Sequence, residues 1–146
     1  MATLHPLSEQ DLIGGACWID LERFSDPRGS LTPVEGGRHV PFEVRRLFYF
    51  YDVPVGENRG AHAHRDQEQL IICLAGGFDV VLDDGSQHRT ARLSRPWRGL
   101  YVPHMLWAAQ VNFDGGTVGL VLASDFFEEA EYIRDYSEYV ALVKGQ

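Results

Sequence analysis

The sequence has little cysteine, little lysine and no long apolar run. Its two cysteines, Cys17 and Cys73, each sit in an apolar stretch and form no C-x-x-C pair or zinc-finger spacing. They are expected to be buried thiols, not a disulfide framework or a structural zinc site. No run approaches the ~20 apolar residues of a transmembrane helix, which excludes an integral helical membrane protein. Thirteen basic residues face 21 acidic ones, for a net charge of −8. A broad electropositive face for nucleic acid is therefore not expected. Only Lys144 among the basic residues is a lysine; the rest are arginines. That bias reflects either codon usage or a local need for planar, bidentate phosphate donors. The opening stretch, Met1 to Pro6, shows no basic segment followed by an apolar one, so the expected location is cytoplasmic.

The chain has 146 residues, 45% apolar and 23% charged. This fits one globular domain, 1–146, with a core that needs no covalent staple. Short apolar or alternating runs recur between Gly, Pro and Asp. Strands are expected at Cys17–Leu21, Ser30–Val34, Val44–Val53, Ala61–His64, Gln69–Leu74, Phe78–Leu82, Gln87–Leu93, Leu100–Val102, Leu106–Phe113 and Val118–Ala123. Gly76-Gly77 and Asp83-Asp84-Gly85 read as hairpin turns. Many short strands at this spacing predict an all-β sandwich or barrel. From Phe127 to Lys144 the apolar positions Tyr132, Ile133, Tyr136, Tyr139, Val140 and Val143 fit one or two short amphipathic helices. Asp125 is the expected cap of the first.

The most informative stretch runs from Gly56 through Arg59, His62 and His64 to Glu68. Residues two apart in a strand share a face, so His62 and His64 project side by side with Ala63 opposite. The run resembles the first cupin motif, in which His-x-His and a following Glu supply three metal ligands. The second cupin motif normally adds another His. Here Gly99 to Ala108 places Met105 where Gly is usual and Ala108 where that His belongs, with His104 nearby. A catalytic metal wants about three protein ligands and an open position. A site without its usual third His is better explained as metal-free, leaving two imidazoles to move protons near neutral pH. Ligation by His62, His64 and Glu68 is the competing reading.

Other candidates are weaker. Arg59, three residues before His62, and Arg28, at the start of a strand, are each either ligand clamps or solvated loop residues. In Leu47 to Tyr51 one face carries Phe48 and Phe50 and the other Tyr49 and Tyr51; the phenols suit a wet pocket or simple sheet packing. Trp107 and Tyr101 are stacking platforms or core.

Arg59-Gly-Ala-His62-Ala-His64, Glu68 to Cys73, Leu82 to Gly85, Gly99 to Pro103 with Trp107, Ala123 to Phe126 and Tyr132 to Tyr136 together resemble the cupin-type dTDP-sugar 3,4-ketoisomerases, over about Leu21 to Tyr139. The resemblance implies a jelly-roll fold and a homodimer exchanging an N-terminal strand. It also implies no metal or other cofactor, and a dTDP-linked keto-deoxysugar as the partner molecule. It makes His62 and His64 the catalytic acid–base groups that move the keto group of dTDP-4-keto-6-deoxyglucose from carbon 4 to carbon 3, en route to 3-amino sugars. Arg59 would lie near the pyrophosphate, with Arg28, Tyr49 and Trp107 as further substrate contacts. Ala108 departs from the His or Arg frequent in that family, which bears on the configuration at carbon 4. Three other readings remain: a metal-dependent cupin oxygenase, a dTDP-sugar 3,5-epimerase, and a nucleotide-sugar-binding cupin without turnover.

Overall fold

The computed structural model describes residues 12–145. The strands are β1 (Cys17–Asp20), β2 (Phe24–Asp26), β3 (Gly29–Leu31), β4 (Arg46–Phe50), β5 (Arg59–His64), β6 (Gln69–Ala75), β7 (Phe78–Asp83), β8 (His88–Leu93), β9 (Arg98–Val102), β10 (Trp107–Val111), β11 (Val118–Ala123) and β12 (Tyr132–Ile133), and α1 (Tyr136–Lys144) closes the chain. One sheet has the order β1-β9-β6-β11-β4 and the other β12-β5-β10-β7-β8, while β2 and β3 form a separate hairpin. All named pairings are antiparallel. The expected all-β jelly roll is thus an open sandwich; the two sheets do not close into a barrel.

Alternation along the strands distributes the apolar residues over three layers. Phe50, Ile71, Cys73, Phe78, Val80, Leu82, Leu100, Val102, Phe113 and Val121 meet between the sheets. Phe78 and Phe113 stack there, and Phe50 meets both edge-on. Leu70, Ile72, Tyr101 and Leu122 lie on the outer face of the first sheet with Val40 and the partly buried Val34 and Phe42. Strand β6 is central and covered on both faces, which explains its continuous apolar run. Both cysteines are buried thiols, as expected.

The outer face of the second sheet is covered by α1. Ala63, Ile133 and Tyr139 are its buried centre, with Trp107, Met105, Val140, Leu142 and Val143 packed around them. Here the structure corrects the helical reading of Phe127–Lys144. A 3-10 turn at Glu129–Glu131 is followed by the strand β12, and only then by the helix. The cap is Asp135, whose carboxylate accepts from the Glu138 amide at 3.1 Å. Asp125 instead accepts from the Ser124 hydroxyl and lies 3.6 Å from Arg45.

Tyr139 ties helix to sheet. It is fully buried, and its hydroxyl lies 3.0 Å from the Asp83 carbonyl and 2.9 Å from the Met105 carbonyl. Met105 occupies the left-handed region, φ 57°, at the motif position where Gly is usual. Its amide donates to the His64 carbonyl at 2.7 Å. The helix thus braces a turn that in turn holds His64. Tyr139→Phe removes the single phenolic proton that these two part-buried carbonyls share and is expected to cost about 1–3 kcal/mol in urea unfolding. Tyr136→Phe, whose hydroxyl meets Asp83 at an exposed position, is expected to change stability by less than about 0.5 kcal/mol.

Candidate active site

Strand β5 presents the imidazoles as its spacing requires. The His62 and His64 rings lie with centroids 4.7 Å apart at 80°. The strand is flanked on both sides: Ala108 of β10 is the register partner of His62, and Tyr132 of β12 is the partner of His64. Directly opposed residues in an antiparallel pair share a face. Ala108 therefore stands beside His62 and gives it only a methyl neighbour. Tyr132 packs its ring edge-on to both imidazoles, at 4.8 Å from His62 and 4.5 Å from His64.

Hydrogen bonds and a cation over the phenol ring fix this trio. Arg46, at the start of β4, donates through Nη2 to the Tyr132 hydroxyl at 3.1 Å and to Gln67 Oε1 at 3.2 Å. Gln67 Nε2 lies 3.4 Å from both ring nitrogens of His64. Arg134 crosses the Tyr132 ring at 4.5 Å and is held by Glu129 through contacts of 2.7 and 3.0 Å. The Glu131 carboxylate accepts from the amides of Asp66 and Gln67, pinning the loop after β5.

These surroundings disfavour imidazolium. Burial is the main cause at both rings. It lowers His62 to about 4, with Arg134 adding to the shift and Glu129 opposing it. It lowers His64 to about 3, with His62, Arg46 and Arg134 adding to the shift and no carboxylate among its causes. Both rings are neutral at pH 7, so each carries one lone pair that can accept a proton. His64, 5% exposed, is the deeper of the two.

The metal-binding alternative finds no matching donor set. Glu68 follows the parity of Leu70 and Ile72 onto the outer face of the first sheet, where its carboxylate accepts from the Tyr101 hydroxyl. His104 is exposed in the turn before β10. Among the described residues no group of three or more His, Cys, Asp or Glu could hold an ion.

The other sequence candidates separate. Arg59 joins the imidazole face through an irregularity. Gln110 pairs with Arg59 and Ala108 with His62, with a register shift between them at Gly60, φ 65°. The bulge turns a three-residue spacing, which in a regular strand would oppose the faces, into a shared face. The Arg59 guanidinium lies 5.3 Å over the Phe50 ring. Trp107 is not brought to the site: as the neighbour of Ala108 it faces the other way, packing against Tyr136 and Tyr139 under α1. Tyr49 is not brought there either, because β4 turns Phe48 and Phe50 inward and leaves Tyr49 61% exposed on the outer face. Arg28 sits in the tip of the β2–β3 hairpin, 89% exposed, paired with Asp26 at 2.6 Å. The sequence reading missed Arg46 and Gln67 altogether and placed Tyr132 on a helix. Nothing in the local pattern marks Arg46 or Gln67; the burial of Gln67 emerges only from the fold.

Residues 15–144 match the family described as FdtA: WxcM-like, C-terminal. A TDP-4-oxo-6-deoxy-alpha-D-glucose-3,4-oxoisomerase from Aneurinibacillus thermoaerophilus is 39% identical over 121 residues, covering 83% of this chain and 87% of that one. Among solved structures, a His-to-Asn variant of the 3,4-ketoisomerase QdtA from Thermoanaerobacterium thermosaccharolyticum, in complex with TDP-4-keto-6-deoxyglucose, superposes with a TM-score of 0.90 at 32% identity, over 92% of this chain and 98% of that one. A 3,4-ketoisomerase from Helicobacter canadensis gives 0.86 at 40% identity, over 88% and 97%. With its imidazole pair on the strand where the motif requires it, the chain belongs to the FdtA family of TDP-sugar 3,4-ketoisomerases.

Proposed function

We propose that this protein moves the keto group of TDP-4-keto-6-deoxyglucose from carbon 4 to carbon 3 by proton transfer between the sugar and the His62–His64 pair. The observation that carries the proposal is two neutral imidazoles side by side beneath a phenol, with only Ala108 beside them on β10. One imidazole takes the proton from carbon 3. The released electron pair forms the carbon 3–carbon 4 double bond, and oxygen 4 gains a proton, giving the enediol. Loss of the proton on oxygen 3 then forms the new carbonyl while carbon 4 takes a proton. Nothing is oxidised or reduced overall, so no redox partner is needed.

The residues supply each part. Arginine only donates, so Tyr132, which accepts from Arg46, keeps its own phenolic proton for oxygen 4. Arg59 shares the imidazole face and is suited to the pyrophosphate. The methyl of Ala108 leaves space beside His62, where a larger residue would restrict how carbon 4 presents itself to the proton donor. A carbonyl at carbon 3 is the form an aminotransferase needs, which suits a place in 3-amino-sugar synthesis.

The acting unit is proposed to be a homodimer. The β2–β3 hairpin is exposed along its whole length, including Phe24 and Leu31, and Leu47, Tyr49 and Tyr51 are bare on the outer face of edge strand β4. A second copy is suited to cover both. Among the described residues the β2–β3 hairpin is the exposed segment suited to exchange, and exchange is the route by which Arg28 would reach a ligand. A cytoplasmic setting suits the two buried thiols, and among the described residues no helix is long and apolar enough to cross a membrane.

In deuterated water the protein is expected to convert TDP-4-keto-6-deoxyglucose into a 3-keto isomer labelled at carbon 4. His62→Asn and His64→Asn are each expected to lower kcat by at least about 100-fold while TDP affinity stays within about threefold. Label at carbon 5 would show epimerisation instead, and near-normal kcat in both variants would remove the imidazoles from the chemistry. Light scattering is expected to give the mass of two chains, reduced to one by Phe24→Glu with Leu31→Glu; a wild-type monomer contradicts the dimer.

A further inference from the structure

Arg46 and Gln67 form a device beyond the part that Arg46 plays at the Tyr132 hydroxyl. Arg46 projects from β4 in the first sheet, and His64 from β5 in the second. Gln67, 1% exposed in the loop after β5, bridges them. Among the described residues no carboxylate is paired with Arg46, and its Nε is buried without a hydrogen-bond partner. The guanidinium is instead flanked by the Phe48 ring at 5.0 Å and the Phe127 ring at 5.6 Å. A part-buried, unneutralised cation with an orphaned donor is a cost to folding, of the kind commonly kept for a purpose at a site.

The direction of the hydrogen bonds shows what it does. A guanidinium has donors only, so the glutamine oxygen must face Arg46. That fixes the flip of the amide, and the Gln67 NH2 group must then face His64. At 3.4 Å from both ring nitrogens, that group lies over the ring and not on one in-plane lone pair, a place that a neutral imidazole accepts as a weak N–H···π contact. An imidazolium carries N–H at both positions and would set donor against donor, with the Arg46 charge behind.

Building on the ketoisomerase reading, we infer that Arg46, acting through the amide of Gln67, is a positioning pair that holds His64 as a proton acceptor and so divides the labour between two otherwise similar histidines. Among the described residues His62 has no such amide partner, and the Glu129 carboxylate favours its charged form. The groups facing His64 are His62 on its own strand, Arg46 from β4, Tyr132 from β12 and, across the Tyr132 ring, Arg134 with Glu129. The Glu131 carboxylate is engaged by the Asp66 and Gln67 amides. Burial and these cations act on His64 in the same direction as the amide.

Nitrogen-15 NMR of the imidazoles in the full-length protein reads this without turnover. Wild-type His64 is expected to be neutral at about pH 6, where an ordinary histidine is mostly protonated. Gln67→Glu places an acceptor where the amide donated and is expected to raise the His64 midpoint by at least about one pH unit. Arg46→Gln shifts it the same way by less, while Arg46→Lys, which keeps the charge, stays nearer wild type. In turnover, the acid limb of kcat/KM for Gln67→Glu is expected to move to higher pH with the His64 midpoint, while the rate well above that midpoint stays close to wild type. Two positions are probed so that loss of folding in one variant leaves the other to decide. A His64 midpoint unmoved in a folded variant, or a rate lowered equally at every pH, overturns the inference. A wild-type protein inactive on TDP-4-keto-6-deoxyglucose would instead overturn the ketoisomerase reading, and the NMR titration would still decide this one.

Discussion

The site depends on a two-residue strand. Tyr132 and Ile133 pair with His64 and Ala63 along the free edge of β5, and alternation sends the two side chains opposite ways. Tyr132 goes inward against both imidazoles, while Ile133 goes outward into the cluster that seats α1. One short pairing therefore brings the phenol to the histidines, covers the β5 edge and anchors the terminal helix. Tyr139 and Met105 complete the loop of support by linking the helix back to the His64 carbonyl. A side-chain pair placed on a strand and braced from both neighbouring strands is held more precisely than one placed on loops.

Charge then separates two residues that the strand presents alike. Desolvation lowers the proton affinity of both rings, so both start neutral. The remaining difference is in neighbours: Glu129 offsets Arg134 at His62, whereas Arg46 and Arg134 act together at His64. Acid–base enzymes commonly need two groups with different tasks. Here burial and the neighbouring imidazole act first on His64, and Arg46 on the opposite sheet and Arg134 add to them. The same arginine, Arg46, touches the Tyr132 hydroxyl and the Gln67 amide, so one cation contacts both neighbours of His64.

Much of this was legible in the sequence because it follows local periodicity. The ten expected strands correspond to β1 and β3 through β11, and the period of two put His62 and His64 on one face. The alternation in Leu47 to Tyr51 was also visible, but which face looks inward is decided by the facing sheet, and that face took the phenylalanines. Trp107 went astray for a related reason: its neighbour Ala108 faces the imidazoles, and adjacent strand residues cannot both do so. Arg59 reaches the site face only through the bulge at Gly60, a one-residue irregularity that spacing alone conceals. Tyr132 was hidden because 132, 133, 136, 139, 140 and 143 satisfy a helical period, and a two-residue strand is too short to contradict it. Arg46 and Gln67 carry no local pattern; their meaning arises from contacts between segments distant in the chain.

The central claim is that a buried, neutral imidazole removes the proton from carbon 3. The most direct test is the loss of deuterium from TDP-4-keto-6-deoxyglucose labelled at carbon 3, followed in ordinary water with wild type and His64→Asn. The account predicts rapid washout with wild type, slowed by at least about 100-fold in the variant. Equal washout in both would contradict it.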